Sequence, residues 1–175
     1  MPTAHSTENY SLGKGIVKFD RFDANGLPTG LRDLGNCPNF VLTPAVEKLE
    51  HYSSREGTKT KDKTAILTKG LTAKFTLDEY DINNLALALF GTLTGVDQIN
   101  LLAASVIEGE IEFTGTNAVG PKYLVRLWKV SLNPTGDVNF IGDAWGEIAF
   151  EAEVMSDETG HSSNPYGTVT ELGES

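Results

Sequence analysis

The run Lys63-Thr64-Ala65-Ile66-Leu67-Thr68-Lys69-Gly70-Leu71-Thr72-Ala73-Lys74-Phe75-Thr76-Leu77 decides how this chain folds. Ala65, Leu67, Leu71, Ala73, Phe75 and Leu77 fall on one side of a two-residue period, interrupted only by Lys69. Thr64, Thr68, Gly70, Thr72, Lys74 and Thr76 fall on the other. Successive side chains of a strand point to opposite faces, so the alternation predicts one long amphipathic strand. Phe40 to Thr43 and Ala45 to Ser53 also read as extended, with Pro44 marking an edge or a bulge because it cannot donate to a ladder. Between them, Ser54 to Asp62 holds no large apolar side chain and reads as a solvated loop. Together these segments predict an extended hairpin.

Upstream, Gly15 to Phe22 reads as a strand, followed by the turn signal Asp23-Ala24-Asn25-Gly26 and a short strand near Leu31 to Leu34. Downstream, Asp81 is a good helix N-cap, with Ile82, Leu85, Ala86, Leu89 and Phe90 on one helical face and Gly91 as a stop. About ten residues make a helix that is marginal alone, so its apolar stripe must dock on a sheet. Further strands are expected at Ile107 to Thr114, Tyr123 to Leu132 and Trp145 to Met155. In the first, Glu108, Glu110 and Glu112 alternate with Gly109, Ile111 and Phe113; in the last, Glu147, Glu151 and Glu153 share a face opposite Ile148, Phe150, Ala152 and Val154. Each thus has one apolar and one acidic face. The middle strand places Leu124, Trp128, Val130 and Leu132 on one side and Tyr123, Val125 and Leu127 on the other, which predicts a central or doubly covered strand.

A chain of 175 residues, 39% of them apolar, suits a single buried core. Its 18 glycines, with frequent Thr, Asn and Pro, point to short strands joined by turns. No apolar stretch approaches the roughly 20 residues that span a bilayer, and the polar start, Met1 to Leu12, lacks the apolar run of a signal peptide. Cys37 stands alone, so a disulfide framework is not expected and a reducing cytosol fits. The sequon Asn9-Tyr10-Ser11 has no meaning without export.

The formal charge is −10, against the balance expected of a tight nucleic-acid binder. Six of the 14 basic residues lie between Arg55 and Lys74, while none occurs from Phe75 to Pro121 or after Lys129. Val130 to Ser175 carries nine acids. Charge segregated in this way allows opposite patches of neighbouring copies to meet head to tail, although solubility alone also asks for scattered acids.

Signals for catalysis are missing. His5, His51 and His161 are far apart, and neither a zinc spacing nor a nucleophile elbow occurs. Asp23, Asn25 and Gly26 match part of a calcium loop, but the end positions would be Arg21 and Arg32, and a cation does not choose guanidiniums. Rows of carboxylates on a sheet face can support acid–base work, yet the Glu108, Glu110, Glu112 row has no interleaved substrate groups and reads first as a solvated face. No enzyme and no cofactor is expected.

The order of elements from Gly15 to Gly91 resembles the N-terminal half of the major tail tube protein of long-tailed, siphovirus-like bacteriophages. The resemblance rests on Ile16-Val17-Lys18-Phe19 through Asp23-Ala24-Asn25-Gly26, on Leu34-Gly35-Asn36-Cys37-Pro38, on Leu49-Glu50-His51-Tyr52-Ser53-Ser54, the charged loop, the long strand and the helix; Tyr166-Gly167-Thr168-Val169 fits more loosely. It implies an all-β fold with one flanking helix, a β-sandwich or barrel of the tail tube type forming hexameric rings. Rings of this kind stack head to tail around a tape-measure protein and end on tail-terminator and tail-tip proteins. They form the virion conduit through which DNA is ejected without specific binding, after assembly in the bacterial host cytoplasm and with no membrane partner. By position, residues 1–11 are an N-terminal arm, 12–156 the domain, 54–63 an inter-ring loop and 157–175 a C-terminal arm.

Two expectations follow. A conduit should not grip a polyanion, so Glu108, Glu110, Glu112, Glu147, Glu151 and Glu153 either supply negative wall charge or face outer solvent. The loop cations Arg55, Lys59, Lys61 and Lys63 should order on an acidic neighbour. One alternative is the inner-tube subunit of a contractile secretion system or phage-tail-like bacteriocin. Another, a monomeric carbohydrate-binding β-sandwich, wants exposed aromatics, whereas Trp128 and Trp145 both read as strand residues.

Overall fold

The computed structural model describes residues 5–55 and 57–173. Residues 1–4 and 174–175 of the expected arms, and residue 56 of the expected loop, lie outside that set. The chain forms β1 (Gly15–Arg21), β2 (Arg32–Asp33), β3 (Asn39–Ser53), β4 (Thr60–Leu77), α1 (Ile82–Ala88), β5 (Thr92–Thr94), β6 (Gln98–Asn100), β7 (Glu108–Gly115), β8 (Lys122–Pro134), β9 (Ile148–Val154) and β10 (Thr168–Leu172). All pairings are antiparallel. The main sheet runs β2-β1-β7-β8-β9-β4-β3, with β10 added to β8, and β5 and β6 form a separate small hairpin. This is the all-β fold with one flanking helix that the alternation predicts. No helix among the described residues is long and apolar enough to cross a membrane.

The sheet curls on itself. Phe40 on the terminal strand β3 stacks on Phe113 of β7 at 5.2 Å, although three strands separate them in the sheet. The enclosed space is filled by the inward positions: Val17 and Phe19 of β1, Ala73, Phe75 and Leu77 of β4, Ile111 of β7 and Phe150 of β9. Burying each large apolar side chain stabilises by about 1.5–3 kcal/mol. Helix α1 docks against this interior through Leu87 and Ala88. Asp81 caps it, accepting from the Asn83 amide at 3.0 Å, and the buried Asn84 donates its side-chain amide to Leu34 O and Glu79 O.

Three local readings change. The helix ends at Ala88, and the left-handed residue behind it is Phe90 (φ 48°), not Gly91. Gly91 is needed instead for close approach, because a Cβ there would lie 2.3 Å from Ile99 Cγ2. Strand β8 is the central strand expected, between β7 and β9, but its residues divide between the faces differently. Between Gly109↔Val130 and Ile111↔Leu127 it carries one residue more than β7, and this bulge brings Val125 and Leu127 onto the same interior side as Val130 and Leu132. Finally, β9 starts at Ile148, so Trp145 belongs to the preceding loop and is 96% exposed.

Candidate assembly surface

Strand β4 has two partners for only part of its length. β9 pairs with Leu71 to Leu77, whereas Thr60 to Gly70 pair with β3 alone. β3 is terminal in the sheet and has no strand on its outer edge. Residues 43–52 and 60–70 are therefore an exposed two-stranded overhang with backbone edges free on both sides. An isolated hairpin is marginal in water and a long free edge invites pairing with another chain. Val46, Leu49, Tyr52, Ile66 and Leu67 add exposed apolar side chains to those edges.

The overhang contains two register shifts. Glu47↔Thr68 is followed by Lys48↔Ile66, leaving Leu67 as the extra residue, and His51↔Lys63 is followed by Tyr52↔Lys61, leaving Asp62. The strict alternation read from the sequence thus breaks at Leu67: Ala65 pairs with Leu49 on the face opposite Leu71, while Ile66 pairs with Lys48 on the other. Pro44 sits on the edge strand, opposite Leu71 and away from either bulge.

The expected loop is mostly strand. Lys61 and Lys63 lie in β4, and only Arg55 and Lys59 of the four predicted cations occupy the connecting tip. Glu50 accepts from Lys61 Nζ and from Tyr52 Oη (2.7 Å), and these two donors hold its carboxyl below the usual range. His51 Nδ1 meets Asp62 Oδ1 at 2.6 Å. Among the described residues, Arg55, Lys59 and Lys63 have no carboxylate within ion-pair distance.

Glu108, Glu110, Glu112, Glu151 and Glu153 share the sheet face that points away from the core, whereas Glu147 lies in the loop before β9, and the structure gives most of the six partners. Lys18 lies 3.3 Å from Glu112, Lys129 3.5 Å from Glu108, and Lys74 3.4 Å from Glu151. Arg126 Nε lies 3.2 Å from Glu112 Oε2 and 3.4 Å from Glu110 Oε1. The latter contact is an ion pair without hydrogen-bond alignment, since both atoms are buried and lack such a bond. Burial pushes the Glu110 carboxyl up; Arg126 opposes that, and the Asp20 and Glu112 charges add to it. Glu147 and Glu153 have no such partner among the described residues, and both are exposed.

The expected C-terminal arm is docked. Thr168–Leu172 forms β10 against β8, and the segment before it straps the polar sheet face. His161 stacks flat on Trp128 at 3.9 Å, bonds Asp157 at 2.8 Å, and Trp128 Nε1 donates to Asn164 O at 3.0 Å. Polar composition concealed this strap, because its anchors are one aromatic stack and backbone bonds. The N-terminal residues 5–12 cross the 117–121 turn, where Leu12 N donates to Val119 O.

At the far end, residues 135–147 form a loop that the sequence reading missed. Phe140 (69%), Ile141 (95%) and Trp145 (96%) are exposed on it. Gly142 and Gly146 flanking the tryptophan were the available signal against a strand. The exposed Phe140 and Trp145 therefore remove the lack of exposed aromatics as an argument against a carbohydrate module.

His51–Asp62 and His161–Asp157 are solvent-facing or strap contacts with no nucleophile bonded to them, and no cluster of three or more metal-ligating side chains occurs among the described residues. A pocket of about 440 Å³ between β1 and α1 includes Arg21 and Arg32, whose guanidiniums are engaged by Gly91 O and Asn84 Oδ1.

A family model described as Protein of unknown function UCP028589 matches residues 10–98 and 92–170. No curated protein matches the chain. Among solved structures, a chain of the "Tail of empty GTA particle computed with helical refinement, C6 symmetry" is similar over 97% of this chain and 100% of that one, at 11% identity and a TM-score of 0.41. So faint a likeness assigns no role.

Proposed function

Because the chain belongs to the family described as Protein of unknown function UCP028589, whose description names no activity, we propose its role from its own geometry: a structural subunit that polymerises into a tube. In this reading each copy lays its overhanging hairpin beside those of its neighbours, the free edges pair into a closed barrel, and stacked hexameric rings form the tail tube of a phage-like particle. The observation that carries the reading is the overhang. A soluble monomer gains nothing from some twenty exposed residues with unpaired edges and five exposed apolar side chains, whereas closure around a ring satisfies every backbone group. Ring number, a tape-measure core, terminator and tip proteins, and passage of DNA come from the sequence resemblance, as does the rival contractile-system tube.

The wall-charge idea narrows within this reading. Glu108, Glu110 and Glu112 are largely neutralised by Lys129, Arg126 and Lys18, and Glu151 by Lys74, so Glu147 and Glu153 are the better candidates for a negative lumen. Negative-stain microscopy with light scattering tests the proposal. Rings or tubes are expected from the wild type, and Leu49→Lys/Ile66→Lys should remain monomeric with an unchanged circular dichroism spectrum. Rings from that variant would reject the hairpin as the assembly edge.

A further inference from the structure

We infer that the exposed 135–147 loop is the docking surface for the hairpin tip of a second copy of this chain, an inference that rests on the assembly reading above. Position argues for it first. The loop leaves β8 at Pro134 and enters β9 at Ile148, which pairs with Leu77, the last residue of β4; the tip begins at Thr60, the first. Donor and acceptor therefore sit at opposite ends of a strand about 55 Å long at about 3.3 Å per residue. Unlike surfaces at opposite ends join copies head to tail and do not close, so they produce a stack.

The loop is held ready for a partner. Phe140 packs edge-on against Tyr80 at 6.3 Å, and Gly146 lies so near the same ring that a Cβ would fall 2.6 Å from Tyr80 Cζ. These contacts leave Ile141 and Trp145 outside, the type of rigid apolar anchor around which interface energy concentrates. Tyr80 and the loop residues Asn139, Phe140, Asp143 and Trp145 line a shared cavity of about 410 Å³ next to these anchors.

Charge selects the occupant. Asp78 and Asp143 line this cavity, Asp137 and Glu147 lie in the same loop, and the sequence stretches that hold them contain no lysine or arginine. The tip offers Arg55 and Lys59 without ion-pair partners among the described residues, close to exposed Tyr52 in the last rungs of the hairpin. The two surfaces are complementary in charge and both carry apolar area.

Three variants test this: tip reversal Arg55→Glu/Lys59→Glu, loop reversal Asp137→Lys/Asp143→Lys, and all four changes in one chain. Each reversal alone should leave rings intact and shorten stacks about tenfold, the four-fold variant should restore length, and Trp145→Ser should also shorten stacks. Stacks of wild-type length from the single reversals, or a four-fold variant no longer than either, overturn the docking. Loss of rings in the loop variants overturns it too, by assigning the loop to contacts within a ring. A wild type that forms no rings at any concentration sinks the assembly reading itself, and a polysaccharide retained by the monomer through Trp145 gives the loop another ligand.

Discussion

The two halves of β4 follow the same rhythm and meet different fates. Leu71 to Leu77 pair on both sides and bury Ala73, Phe75 and Leu77, while Thr60 to Gly70 pair on one side and bury nothing. An apolar alternation reports that a face wants cover, without saying which chain supplies it. In the first half the cover is β1, β7 and α1 of the same molecule. In the second half it has to come from outside.

That contrast can be broken by substitution, read on the stability of the monomer. Phe75→Ala should have the largest effect, because the ring is 2% exposed and stacks on Phe150 at 5.3 Å: a loss of about 3–5 kcal/mol is expected in urea titration. Trp128→Ala should lose about 2 kcal/mol, through the His161 stack and the bond to Asn164 O, with faster amide exchange confined to the strap and β10. If exchange also quickened in the overhang, the two surfaces would be coupled in a way the contacts do not indicate.

Glu110→Gln should have a smaller, pH-dependent effect. Burial raises the carboxyl's folded pKa above its unfolded value, so its favourable contribution is complete below the unfolded value and fades as pH rises through the folded one. The glutamine, fixed in a neutral form, should match the wild type in acid and exceed it at neutral pH. A glutamine variant weaker at neutral pH would mean that the Arg126 ion pair outweighs burial. Leu49→Lys/Ile66→Lys should shift monomer stability least, by under about 0.5 kcal/mol, since neither residue has lost its solvent. A core-sized loss there would erase the distinction between the halves.

Much of this was legible in the residues. The period-two runs placed β1, β4, β7 and most of β9, and the Asp23 turn formed as its residues suggest, with Asp23 Oδ1 accepting from the Asn25 and Leu27 amides. What stayed hidden depends on partners distant in sequence. A bulge at Leu67, and another beside Trp128, each flip the phase of a strand, and alternation alone cannot announce them. The Glu108, Glu110, Glu112 row looked unopposed because Lys18, Arg126 and Lys129 reach it only through the register of neighbouring strands. Trp145 reads as a strand residue on its aromatic character, while the glycines on either side carry the opposite signal.

Amide hydrogen exchange across the hairpin, compared between the monomer and the assembled form, decides whether the overhang is an assembly edge. Exchange should be fast over the outward-facing amides of residues 43–52 and 60–70 in the monomer and strongly slowed there on assembly, while Leu71 to Leu77 stay protected in both. An assembled particle whose overhang exchanges as fast as the free subunit would contradict that role.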